Sequence, residues 1–451
     1  MIDASMTGAI TIADAQARLR SGKLCAIDLV EQSLQAIERD SARLNAYVRV
    51  WADTARAAAR EADVELRRRA NRGPLHGIPI SLKDLIDVAG EVTTAGSRVL
   101  EHHVAERDAT VVTRLRHAGA ILLGKTNLHE FALGTTSEDS AWGPVKHPAD
   151  ATRLAGGSSG GSAVAVALGM GLASIGTDTG GSIRIPSAAC GVVGLKPTYG
   201  EVPIDGVIPL STSLDHVGPI ARTVQDAAWL WAILTGRHVN PIESLDAGSL
   251  RLRHLVGYFS SPLAPEVREA VDAALDRLRS AGATVIAAEI PLAPTVTEIY
   301  VNTVLPEAAF WHDQYLDSRK SDYMPAVHDR LMSGRAIPAV KYFEAREKRA
   351  LLRREVDAAL EGCDALLLPT LPIVAPRLGE IETTIDPSAT TRTTVRNAML
   401  RQTQLFNLTG HPAISLPVHT PGLPVGLQLV GRLNETERLL AVAAACERIL
   451  L

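Results

Sequence analysis

Two stretches of this sequence set hydroxyls among glycines. One is Gly156-Gly157-Ser158-Ser159-Gly160-Gly161-Ser162, the other Thr177-Asp178-Thr179-Gly180-Gly181-Ser182-Ile183-Arg184-Ile185-Pro186. Glycine lets a backbone approach a ligand closely and take up positive φ. A glycine-rich turn ahead of a helix also presents free N–H groups, which suit an anion, either a phosphate or an oxyanion. The phosphate alternative is weak, because the sequence has no GxxxxGK[ST] and no G-x-G-x-x-G after a strand. One such loop is usually a connection between packed elements. Two of them, close in sequence and each offering a serine, point to chemistry at a serine.

A serine nucleophile needs a base. His76, His129, His147 and His216 are available, and so is Lys83, within Gly73-Pro74-Leu75-His76-Gly77-Ile78-Pro79-Ile80-Ser81-Leu82-Lys83-Asp84-Leu85-Ile86-Asp87. Lys83 ends an apolar run, so its amine is placed to enter a buried site. Desolvation there would bring its pKa from about 10.4 towards neutrality. Taken alone, Lys83 would more often be a surface lysine paired with Asp84 or Asp87. Gly157-Ser158-Ser159-Gly160-Gly161 also satisfies the G-x-S-x-G elbow, with Ser159 as nucleophile. That elbow should follow an apolar strand. Here the preceding Asp150-Ala151-Thr152-Arg153-Leu154 is largely polar and no HGGG segment lies upstream, which argues against an α/β-hydrolase. His129-Glu130 continues as Phe131-Ala132-Leu133, so there is no HExxH, and no metal site is expected.

These residues need a scaffold, and the composition allows one. The chain has 451 residues, 46% of them hydrophobic and 21% charged, which is ordinary for a globular protein and excludes disorder as its main description. A formal charge of −4 argues against a nucleic-acid partner held by net positive charge. Cys25, Cys190, Cys363 and Cys446 are far apart and form no CxxC pair. That disfavours a disulfide framework or structural zinc and fits a reducing cytoplasm. Asp3 and Asp14 precede any apolar run, so no secretory leader is expected. The longest apolar run, residues 163–173, has 11 residues against the roughly 20 of a membrane span. It reads as a buried helix running towards a strand.

The first seventy residues look helical, with Thr11 placed to cap a helix. Arg67, Arg68, Arg69 and Arg72 follow Glu61, Asp63 and Glu65, which reads as a solvated helix end rather than an anion site. From residue 73, short β-rich runs (77–82, 120–124, 172–177, 254–259, 283–290, 365–369, 413–416 and 425–430) alternate with helix-like pieces (109–117, 223–234, 265–281, 340–360 and 435–450). Such alternation predicts an α/β protein with a largely covered sheet. No linker marks a boundary, so one domain over residues 1–451 is expected, with a helical segment to about 72, a core over about 73–220, a variable region over about 250–360 and a C-terminal part of the same sheet over about 361–451.

Lys83 in its apolar run, the Gly156–Ser162 loop and Asp178-Thr179-Gly180-Gly181-Ser182-Ile183-Arg184 together resemble the amidase signature family. The spacings agree too, with 75 residues from Lys83 to Ser158 and 24 from Ser158 to Ser182. The likeness is dense from about Gly73 to Pro219. It returns at Leu366-Leu367-Leu368-Pro369-Thr370, at Asn407-Leu408-Thr409-Gly410-His411-Pro412-Ala413 and over residues 422–431. The resemblance implies a central mixed sheet covered by helices on both faces. It implies a Ser–cisSer–Lys triad in which Ser182 is the nucleophile, Ser158, after a cis peptide, relays the proton, and Lys83 is the base. The oxyanion hole would be the N–H groups of Thr179, Gly180, Gly181 and Ser182. Asp178 and Arg184 would fix the loop, assisted by Ser159. The implied activity is hydrolysis of a carboxamide C–N bond through an acyl-enzyme, with no metal or organic cofactor.

The family also contains the glutaminase component of tRNA-dependent amidotransferases, which carries a Ser/Asn/Arg/Tyr-rich stretch in mid-chain. Here Pro306-Glu307-Ala308-Ala309-Phe310-Trp311-His312-Asp313-Gln314-Tyr315 departs from that pattern, which favours a stand-alone cytoplasmic hydrolase of small, acyl or aryl amides. The amidotransferase component is the alternative, and a catalytically silent binding protein on the same fold is a third. Val145-Lys146-His147-Pro148 is a second departure, lacking the usual Asn before Pro. Aromatic residues are only 4% of the chain, so three within residues 310–315 are a local concentration. Phe131, Leu133, Phe310, Trp311 and Tyr315 are the candidate pocket walls, although such spacing also suits core packing. The expected partner is a small amide, with neither nucleic acid nor membrane, and the chain could pair as a homodimer.

Overall fold

The apolar runs at 77–82, 120–124, 172–177, 365–369, 413–416 and 425–430 become strands without exposed residues. The computed structural model describes residues 10–386 and 392–451; Asp3 lies outside them. In chain order the strands are β1 (Tyr47–Val50), β2 (Pro79–Lys83), β3 (Ile121–Thr126), β4 (Ala173–Thr177), β5 (Val193–Lys196), β6 (Val217–Ala221), β7 (Arg251–Leu255), β8 (Thr284–Ala288), β9 (Ala365–Pro369), β10 (Glu382–Thr383), β11 (Thr393–Thr394), β12 (Ala413–Val418) and β13 (Val425–Val430). Eleven of them form one sheet in the order β1-β3-β2-β4-β6-β5-β12-β13-β9-β7-β8, while β10 and β11 pair apart. The sheet is mixed. β2 runs parallel to β3 and β4, and β7 runs parallel to β8 and β9. The pairs from β4 through β6, β5, β12 and β13 to β9 are antiparallel.

Burial alone did not decide which runs were legible, since β5 and β6 are fully buried and β8 is largely exposed. β2, β3, β4, β9 and β13 are buried along their whole length, the pattern of strands covered on both faces. β1, β5 and β6 were not anticipated; each has four or five residues, and β6 contains Gly218 and Pro219. The run 254–259 is corrected: the strand is Arg251–Leu255, and Gly257, at φ +65°, opens a 3₁₀ turn. Run 163–173 divides as expected, into the buried helix Gly160–Ala167 and the start of β4.

Helices Gly160–Ala167, Arg184–Cys190, Val224–Thr235 and Thr436–Leu450 pack on the central strands. Thr11 caps helix Ile12–Arg20, its hydroxyl accepting from the Asp14 N–H at 3.0 Å. Helix Val296–Leu316 runs unbroken through Pro306 and packs on helices Pro325–Arg335 and Ala339–Leu360. Among the described residues, no helix is long and apolar enough to cross a membrane.

Candidate active site

Parallel neighbours end together, and β2 and β4 bring Lys83 and Thr177 to the same edge of the sheet. Their register aligns Ile80 with Ala173 and Leu82 with Ile175. Ligands of open α/β sheets bind in crevices beyond such carboxyl ends. The glycine loops close over this edge. Residues 156–159 lead into helix Gly160–Ala167, and residues 178–183 lead from β4 into helix Arg184–Cys190. Ser159 ties them together: its N–H donates to Ser182 O at 3.2 Å and its hydroxyl to Thr177 O at 3.2 Å.

Lys83 is fully buried and pairs with neither Asp84 nor Asp87. Its Nζ lies 2.7 Å from Ser158 Oγ and 2.8 Å from Thr177 Oγ1. Burial brings its pKa down to about 7, against the opposing pull of Asp178 and Asp215. Asp84 instead meets Lys125 at 3.5 Å. The Gly157–Ser158 peptide is cis. Ser158 is fully buried, whereas Ser182 is 5% exposed and is thus the more accessible hydroxyl. None of the N–H groups of Thr179, Gly180, Gly181 and Ser182 donates a hydrogen bond among the described residues. Four consecutive free donors beside a serine can hold a developing oxyanion.

The loop's glycines are required by space. A Cβ on Gly180 would stand 2.3 Å from Tyr300 Oη, and Gly181 has φ +139°. Asp178 and Arg184 are both fully buried and hold the loop from behind. Arg184 Nε and Nη2 donate to the two Asp178 oxygens at 3.0 and 2.9 Å. Its remaining donors reach Gln428 Oε1 at 2.5 Å, Asn407 Oδ1 at 2.7 Å and Thr403 O at 3.1 Å. Burial alone would raise the Asp178 carboxyl, but Arg184 and Asn407 hold it well below the usual carboxylate range. Thr179 Oγ1 donates to Asp215 at 2.6 Å. Burial lifts the Asp215 carboxyl to about 6 against that and two backbone bonds.

None of the four candidate histidines hydrogen-bonds through its ring to a loop serine among the described residues. His76 meets Glu65, His147 meets Ala189 O, and His216 lies between Leu214 O and Lys196. His129 reaches Ser158 only through its backbone N–H. The pocket-wall candidates divide. Phe131, at φ 50°, is buried, with its ring 5.9 Å from Trp311, 4.3 Å from His312 and 5.7 Å from Tyr323. Tyr315 joins them 5.8 Å from Trp311, and Leu133 is buried beside them in sequence. Phe310 stands apart, 86% exposed, because adjacent helix residues point about 100° apart. It lines an outer cavity of about 770 Å³ with Trp311, Tyr342 and Phe343, and Lys83, Ser158 and Ser182 do not border that space.

Sequence reasoning missed Tyr300 and Thr403, and it gave no role to Thr177, Asp215 or His312, although each stood in a stretch it had noted. Asn407 and Gln428 lay within stretches already noted for their likeness, without a role. His312 lay in the departing stretch 306–315.

Comparison with known proteins shows what the chain as a whole resembles. The Amidase family matches residues 28–440. A glutamyl-tRNA(Gln) amidotransferase subunit from Roseiflexus sp. (strain RS-1) is 36% identical, over 98% of this chain and 96% of that protein. A crystal structure of an amidase superposes with a TM-score of 0.93 at 41% identity, covering 98% of this chain and all of the other. A structure described as a vestigial protein complex that reveals the origins of an s-triazine catabolic enzyme has a TM-score of 0.91 at 33% identity, covering 97% and 98%.

Proposed function

The chain belongs to the Amidase family, that of the amidase signature enzymes, and on that premise we propose that it hydrolyses the C–N bond of a small, acyl or aryl carboxamide through a seryl acyl-enzyme. One observation carries the reading: a lysine brought to about pKa 7 by burial, with its amine 2.7 Å from a buried serine hydroxyl. A neutral amine has a lone pair with which to take that hydroxyl's proton.

In this mechanism Ser182 Oγ attacks the amide carbon. Its proton passes to Ser158 as the Ser158 proton passes to Lys83. The carbonyl oxygen becomes an oxyanion facing the N–H groups of residues 179–182. Losing one such donor typically costs about 2.7–4 kcal/mol of transition-state stabilisation. The relay then returns a proton to the leaving nitrogen, the C–N bond breaks, and ammonia or an amine departs. Water enters by the same relay, cleaves the ester and releases a carboxylate, which regenerates Ser182. Asp178, Arg184 and Ser159 position the loop.

The relatives named as amidotransferase subunits support a second reading, a glutaminase that works with partner subunits. The departure over residues 306–315 weighs against it. The test is a hydrolysis screen of the protein alone on aliphatic, aryl and anilide amides, hydrazides and glutamine, with Ser182→Ala as the blank. Turnover of one amide class that vanishes in the variant is expected. Activity on glutamine alone would favour the partner-dependent reading. A correctly folded protein that is inert to every substrate and to a fluorophosphonate at Ser182 would overturn both.

A further inference from the structure

Helix Val395–Leu400 reaches the nucleophile loop. A Cβ on Gly180 would stand 3.0 Å from Leu400 Cδ2 and 2.3 Å from Tyr300 Oη, so both side chains lie directly on that loop. Just beyond the helix, Thr403 Oγ1 donates to Gly180 O at 2.6 Å. Arg396 precedes Leu400 by four residues, and helix residues four apart share a face. Its guanidinium is thus carried to the same side of the loop as Tyr300, and each feels the other's charge.

A second arginine arrives from helix Pro325–Arg335. Arg330 Nη1 donates to Leu133 O at 3.1 Å, on the loop that carries Phe131. Arg330 lies in the field of Arg396, and both act on His129, whose backbone N–H holds Ser158 O. Among the described residues, no carboxylate comes within ion-pair distance of either arginine. Asp139, the acid facing Arg330, is engaged with His129 Nε2 at 3.3 Å. Arg396 Nε is buried without a hydrogen-bond partner, and the Tyr300 hydroxyl makes no hydrogen bond among the described residues. Two neighbouring like charges, partly buried and unpaired, are costly unless an anion joins them.

We infer that Arg396, with Arg330 and Tyr300, receives a carboxylate carried by the substrate, so that the amide hydrolysed is anionic, of the class of half-amides of dicarboxylic acids. A planar guanidinium matches a carboxylate through two parallel N–H bonds. Tyr300 lies against Gly180, so a carboxylate bound between Tyr300 and the arginines would hold the amide beside the loop that carries Ser182. This deepens the hydrolase reading and rests on it.

The test separates binding from turnover. Ser182→Ala protein is titrated calorimetrically with the monoamides of malonic, succinic, glutaric and adipic acids, each against a neutral primary amide of matched length. At least one half-amide is expected to bind about tenfold to a hundredfold more tightly than its neutral partner. Arg396→Gln in the same background should remove that preference, and Arg396→Lys should restore part of it. In the Ser182 enzyme the preference should fall on KM more than on kcat. Neutral amides that bind as well as every half-amide overturn the site without needing any arginine variant, and so does a preference that survives Arg396→Gln. A charge preference in binding with no hydrolysis of any amide overturns the hydrolase reading alone. Hydrolysis of neutral amides with no charge preference overturns the arginine site alone.

Discussion

Asp178 and Arg184, six residues apart, face each other across hydrogen bonds of 2.9 and 3.0 Å with neither side chain exposed. The pair encloses the loop that carries Ser182, since Asp178 Oδ2 also accepts from the Ile183 N–H at 3.1 Å. Removing one member leaves the other buried and uncompensated. Arg184→Met should therefore destabilise the fold by about 3–5 kcal/mol. Chemical denaturation measures this, and a loss below about 1 kcal/mol would contradict the pairing's role.

Lys83 gives a pH prediction with a definite sign. The proposed base must be neutral, and its pKa in the fold is about 7. Activity should rise with pH through about 7 and level off above it. The stability linkage has the same direction. Between about 7 and the ordinary 10.5 the unfolded chain binds a proton that the folded chain does not, so stability rises with pH across that window. Melting temperatures of Lys83→Met against the parent should show a flatter pH dependence. Lys83→Ala should lower kcat by about 10²–10⁴ or more, and an unchanged kcat would sink the base assignment.

Ser158→Ala separates relay from scaffold. The variant leaves the Lys83 amine with Thr177 Oγ1 at 2.8 Å as its remaining partner. Acylation, followed by pre-steady-state release of amine, should slow by about 10²–10⁴ while the melting temperature changes little. Rapid acylation in the variant would show that the proton takes another path.

Gly181→Ala addresses the loop itself. At φ +139° any side chain is strained, and the new Cβ would stand 2.2 Å from Thr403 Oγ1. Strain of this kind costs about 1–3 kcal/mol. The loop is expected to shift off Thr403 and take the four free N–H groups out of line, lowering kcat more than it raises KM. A kinetic comparison with Gly200→Ala, where a Cβ meets nothing within 4 Å, controls for the general cost of losing a positive-φ glycine.

What the sequence by itself determined was which local residue types make up the candidate site. Ser158 and Ser182 among glycines, and Lys83 at the end of an apolar run, are visible because glycine and a buried amine are needed at the very positions where they stand. β9 was likewise legible as a continuous apolar run closed by a proline, and β13 as a mostly apolar run between Pro424 and Gly431. Only the tertiary structure decided what surrounds that site. Arg184 meets Asn407 and Gln428 across 223 and 244 residues, and no periodicity encodes a contact of that reach. The insertion of β12 between β5 and β13 creates those contacts by returning the C-terminal part of the chain to the middle of the sheet. The aromatic cluster shows the same limit. Composition identified residues 310–315, but helix rotation sent Phe310 outwards and brought Trp311 and His312 to Phe131. Arg396 had no mark in the sequence, because an unpaired charge is recognised only once every neighbour that could neutralise it has been placed.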